Sequence, residues 1–462
     1  MHSEPALDAL WCNQATLGPL IQAMPTHLWR LEEAWRGKHI VTFAQAPEDS
    51  DWDRFKHYAR KVRVFGCYQH HRSLDIHTDA MLTLASYRPA ISLLPVLREV
   101  TFSTGSPENK SFLFAQCLLS STIQHVSLVI DVEQYATRAL LSAIPLNCPD
   151  IKSLDIKLSP DLEPSSAQRG SQTLHSAVID LVLAMPRLRS LRIPSLSLRF
   201  NVLDHISTFS SLSRLETGKL TLDTARLRSF SEPNSRFPSL RSLTFSVESL
   251  EAAALLVDSI CRPLTSLTIT IKRDSSAAEI PNFVHTLTRH PCYESLLHLG
   301  ITIEHAQNGP NEQADASDVR ALFLLPRLES LQLSSRPFAA AIDDAWLATA
   351  ATTWPQLRSL SIRGMTETTL AGLIPLVRRC PLEHISVDAT WTPFNIQHLL
   401  IIGNTQVQII DIVNSRLQGD VLAVLRCLLL LFPRLKSVHN EGRDDAAAWA
   451  ELQRFLDRSL QC

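Results

Sequence analysis

The sequence predicts an α/β solenoid, a row of strand–helix units whose strands stack side by side in parallel. Three observations predict it. A short phrase with two closely spaced leucines recurs along the chain, helical spacing fills the intervals, and proline recurs at one fixed place between them.

The strand comes first. The phrase reads Met185-Pro186-Arg187-Leu188-Arg189-Ser190-Leu191-Arg192-Ile193, and again Leu325-Pro326-Arg327-Leu328-Glu329-Ser330-Leu331-Gln332-Leu333. Phe237 to Phe245, Trp354 to Ile362 and Phe432 to Val438 repeat it. The common form is apolar-Pro-x-L-x-S-L-x-apolar. Its first leucine slot falls at Leu97, Ile123, Ile151, Leu188, Leu212, Leu240, Leu264, Leu296, Leu328, Leu357, Leu382, Val407 and Leu435. Twelve steps separate Leu97 from Leu435, about 28 residues each, the period of a leucine-rich repeat. A degenerate opening copy is expected at Ala59 to Val64, with Arg63 in the slot between the two apolar residues. The L-x-apolar end has period two, so both apolar side chains point to one face of a short strand. A lone strand cannot bury that face or pair its edges; neighbours from successive repeats do both.

The helix comes next. Leu250, Ala253, Ala254, Val257 and Ile260 form one stripe within Ser249 to Ile260, and Leu370, Leu373, Ile374 and Val377 another within Thr368 to Arg379. Pro95, Pro149, Pro186, Pro238, Pro326, Pro355 and Pro433 stand two residues before the leucine slot. Each ends the preceding helix, because the residue before proline avoids helical backbone. Strand plus helix per unit predicts a leucine-rich-repeat horseshoe, with a concave parallel sheet and outer helices. The polar spans Ser159 to Thr173, Arg273 to Ile280 and Ala306 to Ser317 are expected as loops. Residues 1–50 lack the phrase and are expected to form a short helical segment, followed by about 13–14 units over 51–441. Residues 442–462 are expected to form a capping helix, with Asp444-Asp445 at its start and Trp449, Leu452, Phe455, Leu456 and Leu460 on one stripe.

Bulk composition narrows the function. The 462 residues exceed one ordinary core, and 45% hydrophobic content argues against disorder. With 44 Lys+Arg against 46 Asp+Glu, net charge −2, no field draws in nucleic acid or anionic membrane. No secretory signal or membrane span is legible, and nine cysteines without pairing pattern fit reduced thiols of a cytoplasmic or nuclear protein.

No chemistry is legible either. The closest of the 13 glycines, Gly364 and Gly372, stand eight apart, too far for a phosphate loop. Cys67, His70, His71 and His77 match no closed zinc spacing and read as a polar turn. Cys148, Cys261 and, with one residue deleted, Cys380 occupy a slot that elsewhere holds Phe, Trp and Met, so they read as packing residues rather than nucleophiles. No catalytic, metal or cofactor site is assigned, and an enzyme is not expected.

The slot between the two apolar strand residues, and those flanking the pair, face away from the core. They carry the expected partner contacts: Arg63, Asp155, Lys157, Arg192, Glu216, Gln332, Arg363, Asp388 and Asp411. Charges of both signs give directional contacts to a protein partner.

The N-terminal segment adds a resemblance. Ser3-Glu4-Pro5-Ala6-Leu7-Asp8-Ala9-Leu10-Trp11, then Leu17-Gly18-Pro19-Leu20-Ile21 and Met24-Pro25, resembles fungal F-box proteins with C-terminal leucine-rich repeats. Trp52 to Val62 is similar to the part of that family that leads into the first repeat. The resemblance implies recruitment of substrates to a cullin ubiquitin ligase. Skp-adaptor binding is implied only where an F-box lies upstream, since Met1 stands where that domain would be ending. The alternative is a leucine-rich-repeat adaptor or regulator unconnected to ubiquitination.

Overall fold

The structure is a computed structural model; it describes residues 4–33, 39–66, 75–87, 92–103, 111–130, 135–159, 169–222, 236–272, 279–304, 319–334, 341–364, 367–394, 403–412, 415–440 and 446–461. The chain divides into two compact units, Met1–Gly218 and Lys219–Cys462. The turn residues Cys67, His70 and His71, the insertion Ala306 to Ser317 and the Asp444-Asp445 pair lie outside the described residues.

Seven described strands, the last of them running past Gly218, form one parallel ladder in chain order: β1 (Asn13–Gln14), β2 (Val64–Phe65), β3 (Glu99–Ser103), β4 (His125–Ile130), β5 (Ser153–Leu158), β6 (Ser190–Ile193) and β7 (Arg214–Thr221). Register follows the phrase. Val100 pairs with Val126, and Leu154 with Leu191. Leu191 in turn pairs with Leu215. One backbone atom per rung does the joining: the carbonyl just after the leucine slot accepts two N–H groups from the next rung. Arg98 O takes Gln124 N and His125 N at 2.8 and 3.0 Å, and Lys152 O takes Arg189 N and Ser190 N at 2.7 and 3.0 Å.

This joint corrects the opening repeat. Cys12 O takes Arg63 N and Val64 N at 2.9 and 3.0 Å, and Arg63 O takes Arg98 N and Glu99 N at 2.8 and 3.0 Å. Arg63 therefore stands directly after the leucine slot, and Val62, fully buried, fills that slot. The expected register is three residues off, and the outward middle slot is Gly66. The same joint makes the N-terminal segment a rung: Gln14 pairs with Phe65 and occupies the inward slot, 8% exposed, with its Nε2 donating to Leu10 O at 3.1 Å. A glutamine where the phrase has leucine hides this rung from a search for apolar period.

The N-terminal helices are Glu4–Trp11 and Gly18–Gln22. Trp11 stacks on Tyr58 with ring centres 4.3 Å apart, tying the first helix to helix Trp52–Ala59. A structure not read from the sequence follows: strands Trp29–Glu33 and His39–Phe43 pair antiparallel, and Asp75–Ile76 joins the latter in parallel. Its β signal is short and interrupted by charge, so periodicity does not separate it from a loop. Helices Tyr135–Asn147, Arg169–Leu183 and Phe200–Ser207 pack in sequence along the unit. Helix Arg169–Leu183 begins inside the span expected as a loop through Thr173, of which 160–168 are not described.

The second unit holds eight further described strands in parallel order: β8 (Ser242–Val247), β9 (Ser266–Ile271), β10 (His298–Ile303), β11 (Ser330–Ser334), β12 (Ser359–Arg363), β13 (His384–Val387), β14 (Ile409–Ile412) and β15 (Ser437–Asn440). Leu267 pairs with Leu299, Leu299 with Leu331, and Leu331 with Leu360, as the phrase requires. Leucine-slot residues form one buried column: Leu240, Leu264, Leu328, Leu357, Leu382, Val407 and Leu435 have no exposed surface. Helix Leu250–Asp258 starts at Ser249, whose Oγ accepts Ala252 N at 3.3 Å. The stretch Thr368 to Arg379 is helical over less than its expected length. A 3-10 turn spans Ala371–Leu373, and the α-helix Ile374–Arg379 begins beside Pro375, which suits a first helical turn. Asp343 caps helix Asp344–Thr353 by accepting Trp346 N at 2.7 Å, while Asp344 reaches the next repeat and accepts Thr369 N and Thr369 Oγ1, both at 2.7 Å. Trp354 donates its ring N–H to Leu325 O, which occupies the same phrase position one repeat earlier, at 2.7 Å.

The last helix, Ala446–Gln461, buries Trp449, Leu452 and Leu456 against helix Val421–Leu431 and β15, with Phe455 half-buried. Among the described residues no helix is long and apolar enough to cross a membrane.

Candidate functional site

Most of the strands bury alternate residues and leave the others on the helix-free face, as in β5 and β8, whose middle residues Asp155 and Thr244 remain partly exposed; β13 departs from this, its middle residue Ser386 being buried. Parallel in-register stacking then converts one slot of the phrase into a column at rung spacing, about 4.8 Å. The site is this column.

In the first unit the column concentrates charge. Asp155, Arg192 and Glu216 stand on adjacent strands, paired laterally by register. Arg192 bridges its neighbours: Nε donates to Glu216 Oε2 at 2.7 Å, a second guanidinium nitrogen lies 3.5 Å from Glu216 Oε1, and the third lies 3.4 Å from Asp155 Oδ2. Arg214 adds a looser contact to Glu216 at 3.9 Å. Side-chain exposure of 34% for Arg192, 19% for Asp155 and 18% for Glu216 places the row between core and solvent. The hydrogen bond donated to Glu216 holds the Arg192 guanidinium pKa above its ordinary value, burial opposes this, and the Asp155 charge adds to it. Asp155 Oδ1 is shielded and has no hydrogen-bond partner among the described residues. Lys157, two residues along β5, is exposed.

In the second unit the expected residues separate. Gln332 is exposed on β11. Arg363 is half-buried, with a shielded Nε lacking a hydrogen-bond partner. Asp388, expected on the open face, is instead 1% exposed, and its Oδ2 accepts Gly364 N at 2.8 Å. Gly364 follows the last residue of β12 with φ 133°, so its N–H leaves the ladder and the carboxylate satisfies it. Asp388 is thus a structural bond between repeats, and Arg63 is an edge residue; neither takes its expected place on the face. Asp411 lies between two histidines, 3.7 Å from His384 Nε2 and 3.2 Å from His439 Nδ1. Neither histidine is among the partner residues expected from the sequence. His439 holds the middle slot of β15, opposite Asp411, and was legible from register alone.

Burial holds three of the described core thiols in the protonated form. Burial pushes Cys148 and Cys380 up to about 11 and Cys292 up to about 12. Cys261, expected to be buried like its slot-mates, is half-buried. His77 stands 3.4 Å from Asp79 at the start of helix Thr78–Tyr87, where its Nδ1 accepts Asp79 N. Among the described residues no group of three or more His, Cys, Asp or Glu is arranged to hold a metal ion.

Parallel rungs repeating at the period of the phrase, most of them followed among the described residues by a helix or helical turn, define a leucine-rich-repeat solenoid in each unit. No family model matches the sequence, and no curated protein matches it. Among solved structures, the crystal structure of an LRIM1/APL1C complex is similar to this chain at 14% identity, covering 94% of this chain and 74% of that one with a TM-score of 0.26. At that score the fold assignment rests on the ladder itself and not on the neighbour.

Proposed function

We propose that the protein is a binding scaffold that receives a protein partner on the helix-free face of its ladder. The observation that carries this reading is the Asp155–Arg192–Glu216 row: three partly desolvated charges in fixed register. Burying charge is costly unless it is paired, and a preorganised pair presents direction and sign to a partner. Gln332 and Lys157 add exposed polar contacts on the same kind of slot.

The resemblance of the N-terminal segment extends this reading to the substrate-recognition part of an F-box type ubiquitin-ligase receptor. In that role the ladder selects the substrate, and a Skp adaptor engages an F-box upstream of the repeats. Two measurements test the two levels. Proximity labelling in cells compares the chain with its Arg192→Glu and Gln332→Lys variants: loss of specific neighbours supports binding on the face, and an unchanged set overturns it. Purified Skp adaptor is then offered to residues 1–462 and to a form extended through an upstream F-box. Retention by the extended form alone supports the receptor role; retention by neither overturns it.

A further inference from the structure

The carbonyl joints that set the register also align a second column, at the edge where the strands begin. In the first unit it runs through Cys12, Arg63, Arg98, Gln124, Lys152, Arg189 and Ser213, each on the next rung. Arg63, Arg98 and Arg189 are exposed, and Lys152 is half-buried. None of the four cations pairs with an acid among the described residues; Lys152 Nζ donates to the neutral Gln124 Oε1 at 2.9 Å. Some nearby charge is already paired, while the exposed Glu99 beside Arg98 has no ion pair among the described residues. Arg187 pairs with Asp150 at 3.3 Å, and Lys61 pairs with Asp8 and, at 3.7 Å, with Glu4. In a chain of net charge −2 this edge is a local excess of positive charge on a rigid backbone.

The column also leads into a cavity. At the Arg63 end, Asp8, Ala9, Cys12, His57, Arg60, Lys61 and Arg63 line a space of about 480 Å³. With Lys61 and Asp8 paired to each other, Arg60 and Arg63 are its uncompensated charges.

We propose that this edge binds an acidic peptide in extended conformation, with Arg98, Lys152 and Arg189 along its length and the Arg60–Arg63 cavity taking an anionic group at one end. The proposal rests on the protein-binding reading above and names its partner's chemistry. Four rung steps from Arg63 to Arg189 span about 19 Å, which about six extended residues cover. Nucleic acid is disfavoured because the column offers cations but no aromatic side chain for base stacking. Gln124, in mid-column, supplies an amide suited to peptide backbone.

The test uses the whole chain and fluorescein-labelled hexaglutamate, hexalysine and hexathymidylate, read by anisotropy. Hexaglutamate is expected to bind, hexalysine not, and affinity is expected to fall as salt rises from about 50 to about 500 mM. The Arg98→Glu/Arg189→Glu double variant is expected to weaken hexaglutamate by about tenfold or more, while Arg434→Glu/Arg454→Glu, with the same change in net charge, alters it by less than about twofold. Unchanged melting temperature confirms that these exposed sites leave the fold intact. Hexathymidylate binding as tightly as hexaglutamate, or equal affinities of the two double variants, overturns the proposal. Failure here with face-dependent labelling retained removes the acidic partner and leaves the scaffold; loss of both removes the binding reading itself.

Discussion

Gln453 closes the end of the second ladder: its Oε1 accepts Val438 N at 2.8 Å, and its Nε2 lies 3.4 Å from Lys436 O. Val438 sits on β15, the last described strand, whose outward edge would otherwise present an unpaired N–H. An open edge invites pairing with another chain. One side chain on the final helix supplies the acceptor that a further rung would have supplied.

Gln453→Leu keeps the bulk and removes the acceptor. It should lower stability by about 1–2 kcal/mol, the cost of leaving a part-buried N–H unpaired. Gln453→Glu, which keeps an acceptor for Val438 N but sets its second oxygen against Asp457 Oδ1 and Lys436 O, should recover only part of the loss. Chemical denaturation of the three proteins checks this, and equal midpoints would remove Gln453 from the capping role.

The ladder separates inward from outward slots within one strand. Leu331 has no exposed surface, and Gln332 beside it is exposed. Leu331→Ala should cost about 2–5 kcal/mol through lost burial and the cavity left behind. Gln332→Ala should stay within about 0.5 kcal/mol. Similar losses at both positions would contradict the register.

Gly66 marks the corrected opening rung. Its φ is +88°, its N–H donates to Gln14 O at 3.0 Å, and a Cβ there would overlap the Thr101 carbonyl. Gly66→Ala should therefore destabilise by about 1–3 kcal/mol, a large effect for a single methyl. A melting temperature equal to that of the unsubstituted protein would place Gly66 outside the ladder.

The buried thiols bear on alkaline stability. Burial raises Cys148, Cys292 and Cys380 above the ordinary value near 9, to about 11, 12 and 11. Between those values the unfolded chain releases protons that the folded chain retains. Their contribution is thus present below pH about 9 and is lost as pH rises through the folded values. Unfolding free energy measured from pH 8 to pH 11 should fall, and Cys292→Ala should flatten part of that fall. An unaltered slope would show that the Cys292 thiol does not drive it.

The row around Arg192 should behave as a unit. A double-mutant cycle on Arg192→Met and Glu216→Gln should give a coupling of about 1 kcal/mol, reduced by water at the part-exposed guanidinium. Coupling near zero would make the 2.7 Å contact an incidental one.

By itself the sequence determined the repeat and its register from Leu97 onward. Leucine at period two is a local demand: those side chains have one way to leave water, and in-phase stacking follows wherever the phrase recurs, as in Leu299 beside Leu331. The sequence also named Asp155, Arg192 and Glu216, because outward slots follow from the same alternation. Tertiary structure decided the rest. The rung at Gln14, the shift of Arg63 to the edge, the burial of Asp388 and the capping by Gln453 each depend on a backbone N–H or C=O meeting a backbone or side-chain partner across a distance no local pattern encodes. Apolar burial is written in periodicity; satisfaction of individual polar groups is settled only where the folded chain brings donor and acceptor together.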